Sequence, residues 1–192
     1  DAARIVADES SAVLGVVWNA ATDNLQYRTK INFSSRKRNL YSQPNLTQQN
    51  ITSEVPSNLT RRMILSMVNG IYDPMGLAVP FVVQAKIMLR VLTQANTGWD
   101  DAVPDDERNR WVSFFYEAFE MEHIEFPRST KPLNAVGAPI LVIFSDASED
   151  AYGACAYVRW RKLDGSYESR LLLAKSRLAP TKKITIPRLE LN

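Results

Sequence analysis

The spacing of apolar positions changes character along the chain, and each change marks a different kind of element. Val13-Leu-Gly-Val-Val-Trp18 and Leu25-Gln-Tyr-Arg-Thr-Lys-Ile31 are short β-prone runs on either side of Asn-Ala-Ala-Thr-Asp-Asn, a stretch of turn formers, and predict a hairpin. Residues 32–58 lose that pattern. Ser, Asn and Gln dominate them, Pro44 and Pro56 interrupt them, and they read as a loop or linker. From Asn58 the spacing is helical. Thr60 is placed to cap a helix carrying Met63, Met67, Val68, Ile71 and Tyr72, which Asp73-Pro-Met-Gly76 ends. A second helix, from about Val79 to Ala95, aligns Val83, Ile87 and Val91 with Leu92 beside them, and Asn96 to Gly98 closes it. Pro104-Asp-Asp-Glu107 opens a third: proline suits the first turn, and the acids suit the positive end of the helix dipole. Trp111, Phe114, Phe115, Ala118 and Phe119 form its apolar face.

Beyond Pro139 the pattern is that of strands. Ile140 to Phe144 is an unbroken apolar run that reads as a strand buried on both faces of a mixed sheet, and Ser-Asp-Ala-Ser ends it. Ala151 to Val158 is a second strand of mostly small residues, Leu163-Asp-Gly-Ser166 supplies a hairpin turn, and Tyr167 to Ser176 is a third strand. Asp146 stands at the end of the first of these. A carboxylate there is costly unless a cation or hydrogen-bond donors compensate it. A second carboxylate, Glu190, falls in Ile186-Pro-Arg-Leu-Glu-Leu191, where Pro187 is placed to start a helix. The fold class is α+β, in segments 1–58, 59–130 and 131–192.

Composition narrows this only slightly. At 192 residues and 45% hydrophobic content, the chain can bury a core in one large or two small domains. One cysteine, Cys155, excludes an internal disulfide and reads as a small strand hydrophobe. No signal peptide or membrane-length apolar run is seen, so an intracellular protein is expected, cytoplasmic, nuclear or in a virus-like particle, with no membrane partner. The sequons at Asn32, Asn45, Asn50 and Asn58 reflect polar loop composition. Net charge is +2, distributed as +1 over residues 1–60, +3 over 61–96, −6 over 97–130 and +4 over 131–192. The acidic block reads as a solvated helix face. Arg36-Lys-Arg38 reads as a solvated loop cluster.

Several chemistries fail on spacing. An EF-hand starting at Asp146 would need Gly at Ala151 and Glu at Tyr157. Asp146-Ala-Ser is not the Asp-Ser/Thr-Gly triplet of an aspartic protease, and neither Cys155 nor the single His123 has the context of a Cys–His dyad. Asp100-Asp101 and Asp105-Asp106 stand at a helix entrance, not in the Tyr-x-Asp-Asp hairpin of a polymerase.

Phe144-Ser-Asp-Ala-Ser148, Ala151-Tyr-Gly-Ala154, Ala174-Lys-Ser-Arg177 and Ile186-Pro-Arg-Leu-Glu-Leu191, with Ile71-Tyr-Asp-Pro-Met-Gly76 upstream, resemble signatures of BEL/Pao-group retrotransposon polyproteins, from about Leu14 to the last residue. The resemblance implies the end of a reverse-transcriptase palm, a helical thumb and connection, and the first half of a ribonuclease H domain with a mixed sheet. Leu14, Gly15 and Trp18 would then belong to a primer-grip hairpin. Arg61, Arg62, Lys86 and Arg90 would flank a phosphate track, and Lys175 and Arg177 would approach a hybrid backbone. Asp146 and Glu190 match the first two of four carboxylates that hold two Mg²⁺ ions roughly 4 Å apart and cut the RNA of an RNA–DNA hybrid. The other two are expected beyond Asn192, so the chain by itself is expected to be inactive. The implied partners are template-primer duplex or hybrid and the remainder of the polyprotein. The alternative is an inert nucleic-acid-binding or protein-interaction module derived from such an element.

Overall fold

The computed structural model describes residues 15–33, 46–182 and 184–190. The chain divides into two compact units, Asp1–Tyr72 with Trp99–Arg128 and Asp73–Gly98 with Ser129–Asn192.

In the first unit, strands β1 (Val16–Asn19) and β2 (Asn24–Tyr27) form the expected hairpin, with Asp23 in the left-handed region at its turn. A strand the pattern did not announce, β3 (Glu125–Pro127), pairs antiparallel with β2. The Glu125 carboxylate accepts hydrogen bonds from Asn24 Nδ2 at 2.6 Å and Gln26 Nε2 at 2.8 Å, which fixes that pairing from the side chains as well. A short helix, α1 (Ile51–Glu54), lies inside the segment read as linker. Its end is closed by Arg108, whose guanidinium donates to the carbonyls of Val55 and Pro56. Helix α2 (Arg61–Gly70) starts at Thr60, whose hydroxyl accepts from the Met63 N–H as an N-cap. It buries Ile64 and Val68, while Tyr72 is exposed.

Helix α4 (Asp105–Glu120) carries the core of this unit. Trp111, Phe114, Phe115, Ala118 and Phe119 are all buried, and Trp111 stacks edgewise on Phe114. Thr29 ties the chain after the hairpin to this helix: its hydroxyl donates to the Ala118 carbonyl at 3.0 Å, and its N–H donates to Glu122. The acidic block is only partly a solvated face. Asp105 and Asp106 are exposed, but Glu122, Glu125 and Asp100 each hold a defined partner.

The second unit is a three-stranded antiparallel meander, β4 (Ala135–Ala147), β5 (Ala151–Lys162) and β6 (Tyr167–Leu178), with helices α3 (Val79–Gln94) and α5 (Ile186–Glu190). Each strand extends past its expected limits. The sheet pairs as its turns dictate, and the expected burial of β4 on both faces is corrected. Short turns join consecutive strands, so β4, β5 and β6 pair antiparallel. The apolar residues of β4 are open to solvent on both faces, Ile143 at 64% and Phe144 at 59%.

Helix α3 packs against β6, so the three helices expected as one thumb-like group fall in different units. The turn Asp73-Pro-Met-Gly76 explains its place. Asp73 Oδ1 accepts from the N–H groups of Gly76 and Leu77 and Oδ2 from that of Ala78, which holds the turn that leads into α3. Ala174 of β6 donates its N–H to the Met75 carbonyl at 2.9 Å, and Gly76, at φ +82°, lies so close that a Cβ there would stand 1.9 Å from the Ala174 carbonyl oxygen. The motif that ends α2 therefore clasps the edge of the sheet. At the far end of α3, Arg90 donates to the Ala179 carbonyl at 3.0 Å and pairs with Asp150 at 2.6 Å.

Candidate ribonuclease H-like site

Asp146 is the penultimate residue of β4, directly across from Gly153, and is exposed. Its Oδ1 accepts from the Ala147 N–H at 2.9 Å. The adjoining turn is held by Ser148, whose hydroxyl accepts from the N–H groups of Asp150 and Ala151, so this serine stabilises the turn. Helix α5 contacts β4 and β5 and is anchored by buried Leu189. Its next residue, Glu190, borders the same cavity as Asp146, a space of about 280 Å³ at the strand ends that Ser145, Tyr152, Lys175 and Arg177 also line.

The two carboxylates and two cations are thus gathered at one end of the sheet, although the pleat separates them. Lys175 pairs with Ala154 and Arg177 with Tyr152, whereas Asp146 faces Gly153 and then Ser176. By strand alternation, Lys175 and Arg177 belong to the opposite face from Asp146, with Ser145, Tyr152 and Ala154 of the same lining. A second, larger and mainly apolar cavity of about 540 Å³ adjoins Asp146 on the α3 side, lined among others by Val79, Val83, Phe144, Tyr157 and Leu171.

The other residues singled out in the sequence have diverse surroundings. Leu14 lies outside the described residues. Gly15 is in the left-handed region at φ +75°, and its carbonyl accepts from the Arg28 N–H. Trp18 is half exposed, donates to Asp23, and lies under the Arg128 guanidinium. Arg61 is only 8% exposed, with its guanidinium 4.5 Å from the centre of the Trp99 ring, so it is not a solvent-facing cation. Arg62 is exposed but held by a two-bond pair with Asp100. Lys86 is half-buried on α3. The Arg90 side chain is 14% exposed and engaged by Asp150, which makes it a structural cation of the second unit. Arg159 and Arg161, exposed on β5, did not enter the sequence reading; their alternation about Trp160 was the available signal.

Two exposed carboxylates are a hard-oxygen donor set that suits Mg²⁺ retaining most of its water. Among the described residues no group of three or more His, Cys, Asp or Glu side chains could hold a metal ion. Nor is any helix among them long and apolar enough to cross a membrane.

The strand-end Asp146 of an antiparallel meander and the helical Glu190 therefore border one cavity. The family described as Pao retrotransposon-like RNaseH-like domain matches residues 60–192, and the chain belongs to that family. No curated protein matches the chain.

Proposed function

We propose that the second unit binds RNA–DNA hybrid and supplies part of the metal-holding carboxylate set of a retrotransposon ribonuclease H, acting with the remainder of the polyprotein. The observation that carries this reading is the shared cavity of Asp146 and Glu190. Asp146 and Glu190 would hold the divalent ion. When bound, Mg²⁺ activates water and stabilises the departing oxygen of the cut phosphodiester. Asp146 is kept at the strand end by the β4–β5 ladder and Ser148, so its carboxylate is presented without a neighbouring Cβ from Gly153. Lys175 and Arg177 line the same cavity, where they would attract the backbone without reading bases. The first unit would contribute the palm end, with Gly15 and Trp18 in a hairpin beside a primer terminus.

Anisotropy with a labelled hybrid, with and without Mg²⁺, tests the reading. The expected result is salt-sensitive binding that Mg²⁺ strengthens in the wild type but not in Asp146→Asn or Glu190→Gln. Equal Mg²⁺ dependence in all three proteins would remove both residues from the metal site. No cleavage by the chain alone is expected. Cleavage abolished by Asp146→Asn would show that these carboxylates suffice.

A further inference from the structure

We propose that Arg159, Arg161 and Tyr167 form a second nucleic-acid contact, which grips the phosphate backbone of the same duplex some distance from Asp146. The proposal rests on the hybrid-binding reading for its choice of ligand. Its own support is the register of the sheet. Asp146 faces Gly153, and Arg159 and Arg161 follow Gly153 on β5 at even spacing, so the pleat puts all three positions on one face. Ile140 opposite Arg159 and Tyr167 opposite Arg161 complete the far end of that face.

The two cations stand about 20 and 27 Å from Asp146 along the strand, at about 3.4 Å per residue. That span corresponds to about six to eight base pairs of duplex. The strip between them holds Phe144, Val142, Cys155 and Tyr157 on β4 and β5, and Leu171 and Ser169 on β6. None is acidic, and since Phe144, Cys155, Tyr157 and Leu171 also line the cavity that Val79 and Val83 of α3 border, the track runs alongside that helix.

The arginines are also equipped for the task. Three other cations of the unit are compensated: Arg170 and Lys162 pair with Glu168, and Arg90 with Asp150. Among the described residues neither Arg159 nor Arg161 has a carboxylate in salt-bridge range. Both are exposed, and the Arg159 guanidinium lies 4.3 Å over the Tyr167 ring, which sets its plane in advance. They border a depression of about 300 Å³ whose other wall is β4 at Gly137, Ala138 and Ile140. There the β4–β5 register shifts between Val136 and Ile140, and Gly137, at φ +71°, has no atom within 4 Å of where a Cβ would stand. A bulge of this kind opens the strand pair, and guanidinium forks match phosphate oxygens in two-bond geometry.

The test is a salt titration of anisotropy with a hybrid of about 16 base pairs in EDTA, comparing wild type with the double variants Arg159→Gln/Arg161→Gln and Arg159→Lys/Arg161→Lys. Losing two phosphate contacts should make the slope of log affinity against log salt shallower by about 2 and reduce affinity by about tenfold or more at about 50 mM salt. The lysine pair should restore most of the slope. An unchanged thermal midpoint in the glutamine pair shows that the fold is intact. If the wild type binds but the glutamine pair has the same slope, the second contact is wrong and the Asp146 reading stands. If the wild type binds no hybrid, both fail. Tighter binding of polyglutamate than of hybrid at these arginines would assign the patch to an acidic protein and overturn the proposal.

Discussion

Helix α4 and strand β4 each carry a cluster of large apolar side chains, and the structure treats them in opposite ways. Trp111 and Phe115 are at most 1% exposed, whereas Ile140, Leu141, Ile143 and Phe144 are each more than half exposed. Apolar residues on α4 recur on one stripe, and α1, together with Thr29 and Phe33 after the hairpin, closes over it. Those on β4 occur at every position from Ile140 to Phe144, so they need cover on both faces, and four of the five remain more than half exposed. A continuous apolar run therefore specifies an element and a demand for burial; burial itself depends on which surfaces come to meet it.

The largest test of this contrast is a pair of truncations. Trp111→Ala should cost about 3–5 kcal/mol in urea unfolding of the first unit, because it opens a cavity in a filled core. Ile143→Ala should stay within about 0.5 kcal/mol, as expected of an exposed site. Similar losses in both would mean that β4 is covered in solution.

A smaller effect separates packing from backbone geometry. Gly76→Ala adds one methyl group, yet it meets the Ala174 carbonyl and requires a left-handed backbone. A loss of about 2 kcal/mol or more is expected for the second unit, with the first unit unaffected. Hydrogen exchange at Ala174 reads it locally: faster exchange is predicted, and unchanged protection would show that the clasp is not formed.

The contrast between Asp73-Pro-Met-Gly76 and α4 also shows what could be read from residues alone. The cap at Thr60, the limits of α3, the aromatic face of α4 and the turn at Leu163 to Ser166 are local, set by nearest neighbours and spacing, and they were legible. The separation of α3 from α2 and α4 was not, because it depends on the Met75 carbonyl and Gly76 finding Ala174 about a hundred positions away. Strand β3 has only three residues, too few for a periodic signal, and its pairing depends on Glu125 reaching Asn24 and Gln26. Of the site, Asp146 and Glu190 were legible as motif positions. Burial of Arg61 by Trp99 and capture of Arg90 by Asp150 were not, since an arginine in a sequence does not disclose its carboxylate or its ring.

The smallest expected effect concerns pH in the first unit. Hydrogen bonds from Arg128 and then Trp18 hold the Asp23 carboxyl below its ordinary value, and Arg62 does the same for Asp100. Because the folded values are depressed, these pairs favour the fold above the ordinary carboxylate range, and the advantage is lost as pH falls through the depressed values. Both pairs are exposed, so the effect is slight. The thermal midpoint of Asp23→Asn should lie a little below that of the wild type at pH 7 and converge with it in acid. A constant gap down to the lowest pH would point to lost packing of Trp18.

The most direct measurement of the central claim is paramagnetic broadening by Mn²⁺ in amide NMR spectra of the full chain. If Asp146 and Glu190 hold one divalent ion, substoichiometric Mn²⁺ should broaden Ser145 to Ala147 together with Leu189 and Glu190. Excess Mg²⁺ should reverse the effect, and Asp146→Asn should abolish it at both places. Broadening at one segment while the other stays sharp, or equal broadening in the variant, would contradict the claim that these carboxylates form one site.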